Sequence, residues 1–295
     1  MSTRLPDSPP LRPIAVRRAE IAPGVAVGRA LPTREQRMVG AWCFLDQMGP
    51  LTVPAQGLHV AAHPHTCLQT FTWMVEGELL HRDSLGTEQV LRPGQVNLMT
   101  AGHGIVHTED SVVGTMRLHA AQLWIALPAA HASRAPTFQH HAELPRWQHQ
   151  GAHMTVLAGS WQGHTAPTQV FSALLGLDLY WPAGGSLTLP LQPTFEHGVL
   201  VLDGTASLNG TAYTSARFGY ASPGTPALHL RAEPGTRVLL LGGEPWPEPI
   251  TLWWNFAGHD KAWVAQAQAD WEAGNARFGA VPGATQRLPA PRLPW

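Results

Sequence analysis

Apolar and polar positions alternate over short distances along most of this chain. Runs at 70–75, 89–91, 96–99 and 122–127 have the period of strands, and Glu76-Gly77, Ser84-Leu85-Gly86, Pro93-Gly94 and Ala101-Gly102 punctuate them. A turn signal roughly every 8 to 12 residues, from Trp42 to about residue 128, predicts an all-β sandwich or barrel. Residues 129–168 are polar and rich in His, Ala, Pro and Gln, the composition of a connector. A second β-rich stretch runs from Val170 to about Gly243, with Asn209-Gly210 as a hairpin signal and Ser222-Pro223-Gly224 as another turn. Beyond Pro249, Trp263, Ala267 and Trp271 recur at spacings of four. They predict an amphipathic helix within 261–277 whose stripe packs on a core. The division expected is an extended lead-in over 1–35, a β domain over 36–130, a connector over 131–168, and a second β domain over 169–295 that includes the helix.

Composition fits short strands and many turns. Among 295 residues there are 29 Gly and 27 Pro, and only 13% are charged, about half the usual share. The apolar fraction of 44% is enough for a sizeable core. With a formal net charge of −1 and Lys261 as the only lysine, no basic tract supports direct nucleic-acid or anionic-membrane binding. Two cysteines, Cys43 and Cys67, do not make a disulfide framework. Arg17-Arg18 hints at a twin-arginine signal, but Pro23 and Gly24 follow where an apolar helix would be needed. No stretch approaches the roughly 18 apolar residues that span a bilayer. The expectation is a soluble, cytoplasmic chain.

The chemistry concentrates between Gly57 and Glu109. His63-Pro64-His65 sets two imidazoles at i and i+2, which on a strand share one face. His107-Thr108-Glu109 repeats the spacing. Two such pairs on neighbouring strands offer three nitrogens and a carboxylate, a set that suits a divalent first-row metal with open positions. With 16 histidines in the chain, roughly one His-x-His is expected by chance, so the first pair alone is weak. His59, His81, His119, His131, His140, His141, His149, His153 and His164 are read as surface or hydrogen-bonded residues.

The surrounding sequence resembles the pirin family, a branch of the cupin superfamily. Gly57 followed by His63-x-His65 opens the first cupin motif, which normally continues to a glutamate at the place of Gln69 and a glycine near Gly77. HPHTCLQTFTWMVEGELLHRDSLG (63–86) and RPGQVNLMTAGHGIVHTED (92–110) look like the family's hallmarks. Flanking likenesses are Arg37-Met38-Val39-Gly40, Phe44-Leu45-Asp46 and Gly49-Pro50 upstream, and 122–128 downstream. Leu241-Gly242-Gly243-Glu244-Pro245 is similar to the second domain. The resemblance implies two cupin (jelly-roll-type) β-barrels, a metal in the first, and none in the second. Its ligands fall on His63, His65, His107 and Glu109. The usual metal is iron, as Fe(II), with Ni, Cu, Mn and Zn in related cupins. Many pirins have Arg-Gly-Phe-Glu where this chain has Thr66-Cys67-Leu68-Gln69, and Arg in place of His103. Gln69 lacks the charge of the usual cupin ligand, leaving Glu109 as the carboxylate. Cys67, Gln69, His103 and Gln122 are possible lining or supporting residues, Cys67 and Gln69 because they share strand parity with His65, with Cys67 read as inert packing first and His103 equally as a turn residue.

Three functions follow from the resemblance. In the first, the chain is a dioxygenase of the quercetin 2,3-dioxygenase type, taking a flavonol or similar phenol with O2, and Glu109 serves as ligand and general base. In the second, it is a non-enzymatic, metal- or redox-dependent regulator of a protein partner, a transcription factor or metabolic enzyme. A purely structural cupin ranks last, because the ligand set leaves open positions.

Overall fold

The computed structural model describes residues 8–22 and 25–295. The first residues of the lead-in, and the Pro23-Gly24 step, lie outside the described residues. The architecture is all-β with one short C-terminal helix. Strands β1 (Arg12–Ala15), β2 (Arg17–Ala22), β3 (Val25–Leu31), β4 (Trp42–Thr52), β5 (His59–His65), β6 (Leu68–Glu76), β7 (Leu79–Asp83) and β8 (Glu88–Leu91) come first. Then follow β9 (Val96–Thr100), β10 (Ile105–Ser111), β11 (Arg117–Ala126), β12 (Thr137–His141), β13 (Arg146–His149), β14 (Ala152–Ala158), β15 (Ser160–Trp161) and β16 (His164–Thr165). The last strands are β17 (Leu174–Trp181), β18 (Gly185–Pro190), β19 (Glu196–Asp203), β20 (Ala206–Leu208), β21 (Thr211–Tyr213), β22 (Arg217–Ala221), β23 (Ala227–Ala232), β24 (Thr236–Gly243), β25 (Thr251–Trp253) and β26 (Phe256–Gly258). Helix α1 (Lys261–Glu272) comes after them.

One strand order occurs twice. A seven-stranded sheet β12-β9-β6-β11-β4-β3-β2 is accompanied by a four-stranded sheet β5-β10-β7-β8, and β1-β22-β19-β24-β17-β14-β13 with β18-β23-β20-β21 repeats the arrangement. The sheets of the second set enclose an apolar core in which Leu177, Leu179, Val199, Val201, Val238 and Leu240 meet Leu187, Leu189, Leu228 and Leu230. Alternate residues of each strand supply this core, as the period of two requires.

Two compact units result, and they do not follow the linear division. Among the described residues, one contains 8–19, 28–47 and 143–246; the other contains 20–22, 25–27, 48–142 and 247–295. The C-terminal helix was expected with the second β domain. It packs instead in the unit of the first barrel, burying Val264, Ala267 and Trp271 against Ala62, Val106, Phe256 and Phe278. Backbone bridges pair Thr66 with Phe256 and Ala62 with Arg287, and these tie the C-terminal segment to β5 and the turn after it. The expected connector is also structured. β12 pairs with β9 in the first barrel, whereas β13 pairs with β14 in the other unit. Helix α1 starts where the Asp260 side chain accepts the Trp263 N–H (2.7 Å), and it stops five residues short of the expected end, before Gly274 at φ +68°. No helix among the described residues is long and apolar enough to cross a membrane.

Gly77, in the turn from β6 to β7, has φ +85°, and a methyl carbon there would stand 2.2 Å from the Arg117 carbonyl oxygen. Both the conformation and the backbone contact demand glycine. Gly77→Ala is expected to cost about 2 kcal/mol, read as a lowered urea midpoint at unchanged slope.

Candidate metal centre

Strand β5 ends on His63-Pro64-His65, and β10 lies antiparallel beside it with His107 directly opposite His63. Directly opposed residues share a face, so the two strands aim their imidazoles at one place. The register shifts between His107 and Glu109, which lies opposite Val60. This irregularity gives β5 an extra residue and re-aims the end of the site. Ring centroids are 4.3 Å apart for His63 and His107, 5.0 Å for His65 and His107, and 5.1 Å for His63 and His65. His65 and His107 are each only 1% exposed.

Hydrogen bonds decide which nitrogen of two rings is free. His63 Nδ1–H donates to the Ala61 carbonyl and His65 Nδ1–H to the Asn255 carbonyl, both at 2.9 Å. A carbonyl only accepts, so each ring carries its hydrogen on Nδ1 and a lone pair on Nε2. Burial holds His63 down to about 4, the Ala61 hydrogen bond opposing and His81 adding to the effect. Burial and the neighbouring His63 hold His65 and His107 well below the ordinary histidine value. The rings are therefore neutral near pH 7, the form that binds a metal. His65 Nε2 lies 3.1 Å from His107 Nε2. A buried lone pair at that distance from another ring nitrogen calls for a proton or a cation.

Ligand atoms of His63, His65 and His107 lie within 4.8 Å of one another, as do those of His81, His107 and Glu109. The residues expected from the sequence thus come together, but as two overlapping groups joined at His107, with Glu109 on the His81 side. Glu109 is half-buried. Its carboxyl is pushed up by burial, with nearby His81 lowering it and Asp110 raising it. The donor set fits a borderline divalent ion, with imidazole nitrogens and one carboxylate.

The family model described as Pirin matches residues 24–125, and the one described as Pirin C-terminal cupin domain matches 176–279. The chain belongs to the pirin family. A Pseudomonas aeruginosa pirin relative named "Putative quercetin 2,3-dioxygenase" is 52% identical over 97% of this chain and 91% of its own length. A Caulobacter vibrioides "Pirin-like protein" is 36% identical over 85% of this chain and 90% of its own. A crystal structure titled as quercetin 2,3-dioxygenase from Acinetobacter baumannii is 45% identical, covers 97% of this chain and 96% of its own, and superimposes with a TM-score of 0.94.

The supporting residues expected in this pirin are distributed unevenly. Gln122 accepts a hydrogen bond from Thr72 (2.8 Å) and shares a face of β11 with Trp124, whose ring lies 5.2 Å from that of His65. Gln69 was grouped with His65 by strand parity, and here the structure differs. It pairs opposite Ile125, on the face away from Trp124, and bonds to Thr100 (2.9 Å). The reason is Cys67, whose φ of +55° breaks the alternation between β5 and β6. Cys67 does not line the histidine cluster. Its sulfur lies 3.4 Å from His259 Nε2, and burial, then Glu248, pushes the thiol up to about 12. His103 is a turn residue, bonded to the Arg134 carbonyl (3.1 Å), and its own carbonyl accepts from Arg277. His81, expected only as a surface or hydrogen-bonded residue, and Asp83, which no motif singles out, are both buried on β7 opposite Glu109 and His107. The available signal was His81-Arg82-Asp83, a third pair at i and i+2.

Proposed function

We propose that this pirin is a dioxygenase that takes a flavonol or similar phenol with O2 at one divalent metal, Fe(II) first, held by His63, His65, His107 and Glu109. The observation that carries the reading is the convergence of buried, neutral imidazoles beside a carboxyl whose proton affinity burial has raised. The names of the relatives at 52% and 45% identity support the reaction class. A bound metal supplies Lewis acidity and exchangeable positions. Glu109, the carboxylate beside the imidazoles, would serve both as ligand and as the group that takes the hydroxyl proton of a phenol. Trp124 beside His65, and Phe138 stacked on His81 at 4.5 Å, offer apolar faces to an aromatic ring. Thr72 with Gln122, and Asn97 with His140 (2.8 Å), add polar groups on the same sheet.

The test combines metal analysis with oxygen uptake on quercetin. About one metal per chain, with uptake lost on chelation and restored by metal, is the expected result. One metal per chain without uptake across a series of flavonols and metals would overturn the dioxygenase and turn attention to a protein partner.

A further inference from the structure

We infer that Asp83 and His81 form a relay that fixes the hydrogen of His107 on Nδ1 and so turns its Nε2 lone pair towards His63 and His65. The inference rests on the metal reading of the cluster and adds two positioning residues to it. Asp83 is fully buried at the end of β7, directly opposite His107, and His81 is directly opposite Glu109, so both share the face of the cluster. Asp83 Oδ1 accepts the backbone N–H groups of Leu85 (2.9 Å) and Thr87 (3.1 Å). Its Oδ2 lies 3.1 Å from His81 Nε2. A carboxylate only accepts, so His81 carries its hydrogen on Nε2. His81 Nδ1 lies 3.3 Å from His107 Nδ1. On the metal reading His107 offers Nε2 to the ion and so carries its hydrogen on Nδ1, for which His81 Nδ1 is the acceptor within reach. His107 Nε2 is then the free lone pair, 3.1 Å from His65 Nε2.

The other two rings reach the same tautomer by donating to the carbonyls of Ala61 and Asn255. His107 makes no such bond to a carbonyl among those described, and the relay does this work in its place. Phe138 stacks on His81 at 4.5 Å and 22°, holding the plane of the intermediate ring. Partners that fix the tautomer of a ligating histidine are commonly worth 10- to 100-fold in metal affinity.

The experiment uses Asp83→Asn and His81→Phe in the full chain. Asparagine keeps an oxygen for the turn but offers an N–H to His81, which permits the opposite tautomer. Phenylalanine keeps the ring against Phe138 and removes the acceptor for His107. Nitrogen-15 NMR of the metal-free protein reads the tautomer of His107, and titration with cobalt(II) alone reads affinity, stoichiometry and the visible spectrum. The expected result is Nδ1–H on His107 in the parent, lost in both variants. Cobalt should bind about 10- to 100-fold more weakly, still at one per chain when saturated and with an unchanged spectrum. Unchanged affinity and tautomer in both variants would overturn the relay while leaving the metal reading intact. Loss of stoichiometry at saturation, or a changed cobalt spectrum, in His81→Phe would make His81 a ligand and also overturn it. If the parent binds no cobalt, the metal reading fails. The NMR comparison then still decides the relay, which stands if Asp83→Asn shifts the His107 tautomer and falls if it does not.

Discussion

His107→Ala is expected to abolish stoichiometric metal binding, from about one ion per chain to background, with far-UV circular dichroism unchanged. His107 is the one residue common to both groups of candidate ligands, so no rearrangement within either group replaces it. Removing Glu109 is a smaller loss, because the three imidazoles are already together without it. Glu109→Gln is therefore expected to keep one ion per chain at saturation with weaker affinity. A second measurement separates lost binding from lost fold. An ion that binds only the folded chain raises stability by about 2.7 kcal/mol at a hundredfold excess over Kd. Added metal should move the urea midpoint of the parent upward and leave that of His107→Ala where it was. Full metal content in the variant would remove the cluster from consideration as the site.

The parts that were legible in the sequence follow from local periodicity. A strand repeats every two residues, so His63-x-His65 and His107-x-Glu109 announced same-face pairs before any strand was placed. The two β-rich stretches were visible as turn spacing, and α1 as Trp263, Ala267 and Trp271. What periodicity cannot say is which distant partner covers an apolar stripe. The α1 stripe is satisfied by Ala62 and Val106, about 200 and 160 residues earlier along the chain, and no local pattern encodes that choice. The misplacement of Gln69 has a more specific cause. Strand parity was extended through Cys67, which sits at φ +55°. Many pirins carry glycine at that position, and a glycine is itself the mark of a left-handed residue where parity stops. His81 and Asp83 had the right spacing but no second signal, because a relay behind a ligand leaves no motif of its own.

The second barrel carries the other large expected effect. His197 is 1% exposed on the core-facing side of β19, directly opposite Ala221 and Gly242, in line with Val199 and Val201. Its neighbour Glu196 points the other way, accepting from Tyr220 (2.7 Å) and the Gly40 N–H (2.8 Å). Neither ring nitrogen of His197 has a hydrogen-bond partner among the described residues, and burial lowers its proton affinity to about 4. The folded chain therefore keeps this ring neutral, whereas the unfolded chain protonates it near 6.5. Above about pH 6.5 the group does not affect stability through protonation. As the pH falls from 6.5 to 4, the unfolded state takes up a proton that the folded state refuses. Stability then drops by about 1.4 kcal/mol per pH unit, about 3 kcal/mol in all. The cluster histidines shift in the same direction, so the parent alone does not isolate the effect. His197→Leu does, because it keeps an apolar side chain of similar size and removes the titrating group. At pH 7.5 the variant is expected to match or exceed the parent, since the parent buries two unsatisfied nitrogens. Urea midpoints between pH 7.5 and 4 should show the variant's advantage growing by about 3 kcal/mol. A difference that stays constant over that range would mean that His197 accepts a proton in the folded barrel, which its apolar surroundings oppose.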